Sequence, residues 1–102
     1  LRILAVDQAR HGGWSVYEYE EKSLVAYGTF AFEDREYTYA QAILKIEELI
    51  DSVIRAYEID AVFFEDVQLR QNTNVFKKLS QLQGVLINMC EKNDYRYGII
   101  TP

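Results

Sequence analysis

The chain has 102 residues, 49% of them hydrophobic, and a single cysteine, so it can build one domain with a real core and can form no internal disulfide. Its net charge of −5 argues against the broad basic face of a non-specific nucleic-acid binder, although a local basic patch is hidden in such a sum. No apolar run approaches the roughly 20 residues of a membrane helix, and the N-terminus enters a strand rather than a leader, so an intracellular protein without a membrane role is expected.

Residues 2–7 read as strand one. Ile3, Ala5 and Asp7 share one face and Leu4 and Val6 the other; with both faces mainly apolar, the strand reads as central and buried on both sides. Residues 8–13 read as a turn in which Gly12-Gly13 permits positive φ. Residues 14–19 form strand two, Glu20-Glu21-Lys22 a hairpin loop, and residues 24–32 strand three, with Gly28 weakening it or marking a bulge. Three such runs in close succession predict an antiparallel meander.

After a charged linker at 33–36 the period changes. Tyr39, Ile43, Ile46, Ile50, Val53 and Tyr57 step by fours and threes, which predicts a helix over 37–57, with Ala42 and Leu49 widening its stripe. Strand four follows at 61–65, reached by a crossover that is right-handed by default. A polar loop at 69–73, where Asn72 or Thr73 can cap, leads into a second helix over 74–92 with the stripe Val75, Leu79, Leu82, Leu86 and Met89. Its second half, Val85-Leu-Ile-Asn-Met-Cys90, is apolar on more than one face, which predicts cover from both the sheet and a partner. Cys90 reads as a small buried apolar residue. Residues 95–101 are strand five.

The order βββαβαβ describes an α/β domain. A strand four that follows a crossover lies parallel to strand one. If the two are neighbours, Asp7 and Glu65 emerge together at their C-terminal ends, where open α/β sheets place their sites.

The stretch Ala61-Val-Phe-Phe-Glu-Asp-Val-Gln68 ends in two acids, and strand one ends in Asp7. Carboxylates at the ends of buried strands are costly unless compensated, and bound metal is the usual compensation. Paired carboxylates suit Mg²⁺, a hard cation. Two such ions about 3.5–4 Å apart clamp the attacking and leaving oxygens of a phosphodiester. In-line attack by water needs no side-chain nucleophile, and His11 and Cys90 have no triad context. The plain alternative makes Asp7 a turn residue and Glu65 a solvated strand end. By alternation Asp66 points away from Glu65, toward a structural pair or a loop cap.

Glu65-Asp-Val-Gln-Leu-Arg-Gln-Asn72, followed by Lys78-Leu-Ser-Gln-Leu-Gln-Gly84, resembles the second motif of RuvC-like Holliday-junction resolvases, with the phage-type members nearest. That motif has an acid, a Val two residues on, an Asn seven on, and a Lys-Leu-x-Gln-x-x-Gly run. Asp7-Gln-Ala-Arg-His-Gly-Gly-Trp14 resembles the first motif. The resemblance covers essentially the whole chain. It implies an RNase H-like fold with a five-stranded mixed sheet of order 3-2-1-4-5. It also implies Asp7 and Glu65 as metal ligands of a Mg²⁺- or Mn²⁺-dependent endonuclease acting on four-way or other branched DNA. A homodimer through the helix at 74–92, a cytoplasmic location and a phage or prophage origin follow from the same resemblance.

The chain departs from the family pattern in four ways. The usual Asp-Pro-Gly is Asp7-Gln8-Ala9, although phage-type members also tend to Asp-Gln. The aromatic that stacks on junction bases in cellular members falls at Gln68. The chain is acidic. The family's remaining catalytic acids lie on a helix after strand five, so residues 1–102 are expected to be a single RNase H-like domain lacking its C-terminal helix, with little or no cleavage by itself.

Arg10, Arg70, Lys77 and Lys78 flank the motif loops and are candidates for phosphate contacts, each with an ordinary surface charge as the alternative. His11 reads first as a solvated turn histidine, with a contact to phosphate or the attacking water as the alternative. Asn72 and Gln81 either bond DNA or cap and solvate the helix. Trp14, Tyr39 and Phe76 read as core or interface. Against the resolvase stand a non-catalytic RNase H-like module that binds DNA or a partner, and a nuclease for RNA or ordinary duplex.

Overall fold

The computed structural model describes residues 1–67 and 72–101. Its elements are β1 (Arg2–Asp7), β2 (His11–Glu18), β3 (Ser23–Ala31), α1 (Tyr39–Ala56), β4 (Ala61–Glu65), α2 (Thr73–Lys92) and β5 (Tyr97–Ile100). The five strands form one sheet of order β3-β2-β1-β4-β5. The pairs β3–β2 and β2–β1 are antiparallel, and β1–β4 and β4–β5 are parallel. Both expectations for the sheet hold, in order and in direction.

β3, β1 and β4 all run the same way, so two right-handed crossovers put α1 and α2 on the same face of the sheet. The core forms there. Leu4, Val6, Val16, Phe30, Val62 and Phe64 from the sheet pack with Ile43, Ile46, Ile50, Val53 and Ile54 of α1 and Leu82, Leu86, Met89 and Cys90 of α2. Ile46 and Ile50 are fully enclosed, so truncating either to Ala should cost about 2–5 kcal/mol through lost burial and the cavity left behind.

The opposite sheet face is open, which corrects the reading of strand one as buried on both sides. Along β1, Leu4 and Val6 are buried, Ile3 is half-buried, and Ala5 and Asp7 are exposed. An apolar run of small residues does not reveal how many helices cover it. Along β4, Val62 and Phe64 are buried, Phe63 is half-buried and Glu65 is exposed.

The turn after β1 is shorter than expected, because Gly12 and Gly13 belong to β2 and no described glycine has positive φ. Gly12 is required by close approach instead: a Cβ there would lie 2.2 Å from the Asp7 carbonyl oxygen and 2.7 Å from Phe30 Cζ. Gly28 likewise marks no bulge. It pairs with Trp14, whose indole lies over it, and a Cβ would meet Nε1 at 2.7 Å. The register shift of this hairpin falls between Val16 and Tyr17. β2 starts earlier than expected, and β5 is shorter than expected.

Thr38 and Gln41 close a reciprocal capping box at the start of α1, satisfying two otherwise orphaned N–H groups. Asn72 caps α2, its side chain accepting from the N–H groups of Asn74 and Val75. The expected α2 stripe enters the core only from its middle onward. Leu82, Leu86 and Met89 are buried, Leu79 is half-buried, and Val75 is 38% exposed.

Candidate metal and nucleic-acid site

Val6 pairs with Phe64 across the parallel β1–β4 ladder, and Asp7 and Glu65 are the next residue on each strand. Alternation places both carboxylates on the open face. They line a concavity of about 460 Å³ with Ala5, Gly13, Ser15, Phe63 and Ile100. Asp66 does not line it. It is half-buried, and its N–H donates to the Ile100 carbonyl at 2.8 Å. The donor set is two hard carboxylate oxygen groups, which fits Mg²⁺ or Mn²⁺ and not a soft metal. Among the described residues no third His, Cys, Asp or Glu completes a cluster.

A buried side chain that the sequence reading passed over links these two strand ends. Gln8 is 6% exposed, the one buried polar residue described. Its Nε2 donates to the Glu65 carbonyl at 2.5 Å, and its Oε1 accepts from the Glu65 N–H at 3.2 Å. A polar residue after an apolar strand reads as turn, and nothing in the local pattern signals that its amide folds inward.

A second cleft, of about 340 Å³, opens beyond the turn at 8–10. It is lined by Ala9, Arg10, His11, Tyr39, Val75, Lys78 and Leu79. Arg10 is anchored, its Nη1 donating to the carbonyls of Phe32 at 2.8 Å and Tyr37 at 3.1 Å. Its guanidinium carbon stands 5.4 Å from the Tyr39 ring centre and Lys78 Nζ 5.5 Å from the same centre, both within cation–π range. The Tyr39 hydroxyl donates to the Lys78 carbonyl, tying α1 to α2. Burial pushes that hydroxyl's pKa above its ordinary value, with Arg10 pulling the other way. Tyr39 is therefore part of this cleft as well as a packing residue, a role its position in the α1 stripe concealed.

Of the expected contact residues, the cleft gathers Arg10, His11 and Lys78. His11 is not in the turn but opens β2, exposed, with Nε2 3.3 Å from Glu33 Oε2. Lys77 and Gln81 are exposed and line neither cavity. The Asn72 side-chain oxygen is occupied by the α2 cap. Arg70 and Gln68 lie outside the described residues.

Solved structures place the fold in a class. The chain superposes on Thermus thermophilus RuvC in complex with a Holliday junction at a TM-score of 0.87 and 13% identity, covering 100% of this chain and 65% of that one. A fowlpox virus resolvase with its Holliday junction matches at 0.64 and 13% identity over 98% of this chain and 61% of that one. The fold is thus the RNase H-like fold of these resolvases.

Residues 3–98 match the family of the crossover junction endodeoxyribonuclease RuvC, and the chain belongs to that family. It is 30% identical over 89 residues to the crossover junction endodeoxyribonuclease RuvC of Sulfurovum sp. (strain NBC37-1). That alignment takes in 84% of this chain and 55% of the curated relative's length. No described helix is long and apolar enough to cross a membrane.

Proposed function

We propose that the intact protein is a metal-dependent endonuclease that resolves Holliday junctions or related branched DNA, with Asp7 and Glu65 as two of its metal ligands. The observation that carries this reading is the placement of both carboxylates side by side at the C-terminal ends of β1 and β4, on an open sheet face. Family membership and the junction-bound relatives support the substrate class.

Mg²⁺ or Mn²⁺, when bound, stabilises charge on the attacking and leaving oxygens of the scissile phosphodiester. The chain's own part is positional. Asp7 and Glu65 would hold the ion from two adjacent strands, each one residue beyond the last ladder pair. The concavity in front of them leaves the scissile phosphate accessible from the open face. Arg10 and Lys78 sit beyond the next turn, and the described ion pairs leave both without a carboxylate. They receive backbone phosphates of the same DNA, which position without reading sequence. The Asp-Gln opening of the first motif supports a phage-type member. The second half of α2, where Val85 and Ile87 stay half-exposed, supports pairing with a second copy through that helix.

The test is cleavage by the intact protein of four-way, flap, duplex and RNA–DNA hybrid substrates in Mg²⁺. Four-way DNA should be cut preferentially, and Asp7→Asn or Glu65→Gln should abolish cutting while leaving the fold intact. Full activity in either variant contradicts the assignment. The alternative is a module that binds branched DNA without cutting it. Junction binding with no cleavage in any divalent metal would select it.

A further inference from the structure

Gln8 occupies the place where the β1–β4 ladder runs out. Alternate residues of β4 turn their peptide groups toward β5: the Val62 N–H bonds Arg96 O at 2.9 Å and the Asp66 N–H bonds Ile100 O at 2.8 Å. The N–H and C=O of Glu65 therefore face β1, but β1 ends at Asp7. The Val6–Phe64 pairing already gives the Glu65 N–H the Val6 carbonyl, but left alone the Glu65 C=O would be unpaired beside the core, a costly arrangement. The Gln8 carboxamide meets both, accepting from the N–H and donating to the C=O, so a side chain supplies one further rung. Its burial at 6% exposure leaves the amide no competing water. The clamp joins the residue after one metal-ligand candidate to the backbone of the other.

We propose that Gln8 is a positioning residue that sets the separation of the Asp7 and Glu65 carboxylates, and through it the affinity of the pair for a divalent cation. This rests on the reading of Asp7 and Glu65 as metal ligands. Ladder pairing stops at Val6 and Phe64, so without the clamp the peptide that follows Glu65 is held on its β5 side alone, through the Asp66 N–H. Outer-shell partners of metal ligands have this effect elsewhere, and their loss weakens metal binding by about tenfold or more.

The test is a Mn²⁺ titration of the chain followed by amide NMR line broadening, which needs no catalysis. Gln8→Met fills the same space without hydrogen bonds. It should weaken Mn²⁺ binding at Asp7 and Glu65 by about tenfold and speed hydrogen exchange at the Glu65 amide. Ile54→Val, a core change in α1 remote from the site, should lower stability and leave Mn²⁺ affinity unaltered. Equal affinity in Gln8→Met and the unaltered chain overturns the proposal, as does an equal loss in Ile54→Val, which would make stability the cause. If the unaltered chain binds no Mn²⁺ at Asp7 and Glu65, this proposal and the metal-site reading fail together. If it binds and Gln8→Met binds as well, only this proposal fails. Should Gln8→Met not fold, Gln8→Asn, an amide one methylene short, carries the same expectation. In the unaltered chain the Gln8 side-chain amide protons must be protected from exchange, and their free exchange overturns the proposal whatever the variants do.

Discussion

Asp7 and Glu65 each stand one residue beyond the paired Val6 and Phe64, so two carboxylates flank each other at one end of a parallel ladder. No cation is paired with either in the described ion pairs. Like charges side by side on a sheet oppose folding, weakly where both are exposed. Asp7→Asn should therefore raise stability by a few tenths of a kcal/mol in a chelating buffer, read from urea denaturation. Mg²⁺ should stabilise the unaltered chain and not the variant. A marked loss of stability in Asp7→Asn would mean that the carboxylate is structural.

Gly84 lies inside α2, exposed, with nothing within 4 Å of where its Cβ would be. A helix-interior glycine costs about 0.8–1 kcal/mol relative to alanine, so Gly84→Ala should stabilise the monomer by about that much. If α2 is the contact between copies, the same change should weaken self-association, measured by sedimentation. Stabilisation with unchanged association would place the contact elsewhere.

Cys90 is fully buried, and burial, with Glu91 and Asp51 adding, pushes its thiol pKa from 9.0 up to about 11. The folded state then keeps its proton where the unfolded state has lost it. Stability is retained below about pH 9 and falls as pH rises toward 11, by on the order of 1 kcal/mol from this group. Denaturation midpoints at mildly and strongly alkaline pH should show the fall, and Cys90→Ala should flatten it. The native thiol should resist alkylation at neutral pH.

Arg10 and Lys78 converge on Tyr39 without carboxylate partners in an acidic chain. Lys78→Ala should weaken four-way DNA binding in Ca²⁺ and lower the salt slope by about one. Arg10→Ala should lose affinity and some stability as well, because its guanidinium also holds the Phe32 and Tyr37 carbonyls. Lys77→Ala, outside the cleft, should change the slope less. An unchanged slope in Lys78→Ala removes the cleft from the DNA path.

Element order, sheet order and the neighbouring of Asp7 with Glu65 were legible because they rest on period and connection rules. Tyr39 through Tyr57 announces a helix by spacing, and acids at the ends of two apolar runs mark a candidate site. The uncovered face of Ala5 and Asp7 was hidden, since small apolar residues fit a covered or an open sheet equally. The role of Gly12 was hidden because a glycine that avoids a clash and one that permits a turn look alike in sequence. Gln8 was the largest omission: its hydrogen bonds join residues 57 positions apart, and no local pattern carries that distance.

The central claim is that Asp7 and Glu65 form one divalent-metal site. Paramagnetic broadening of amide resonances by Mn²⁺ tests it directly, since the effect falls steeply with distance from the ion. The account predicts broadening centred on the ends of β1 and β4, displaced by Mg²⁺ and absent in both Asp7→Asn and Glu65→Gln. Broadening centred elsewhere, or unchanged in either variant, would contradict it.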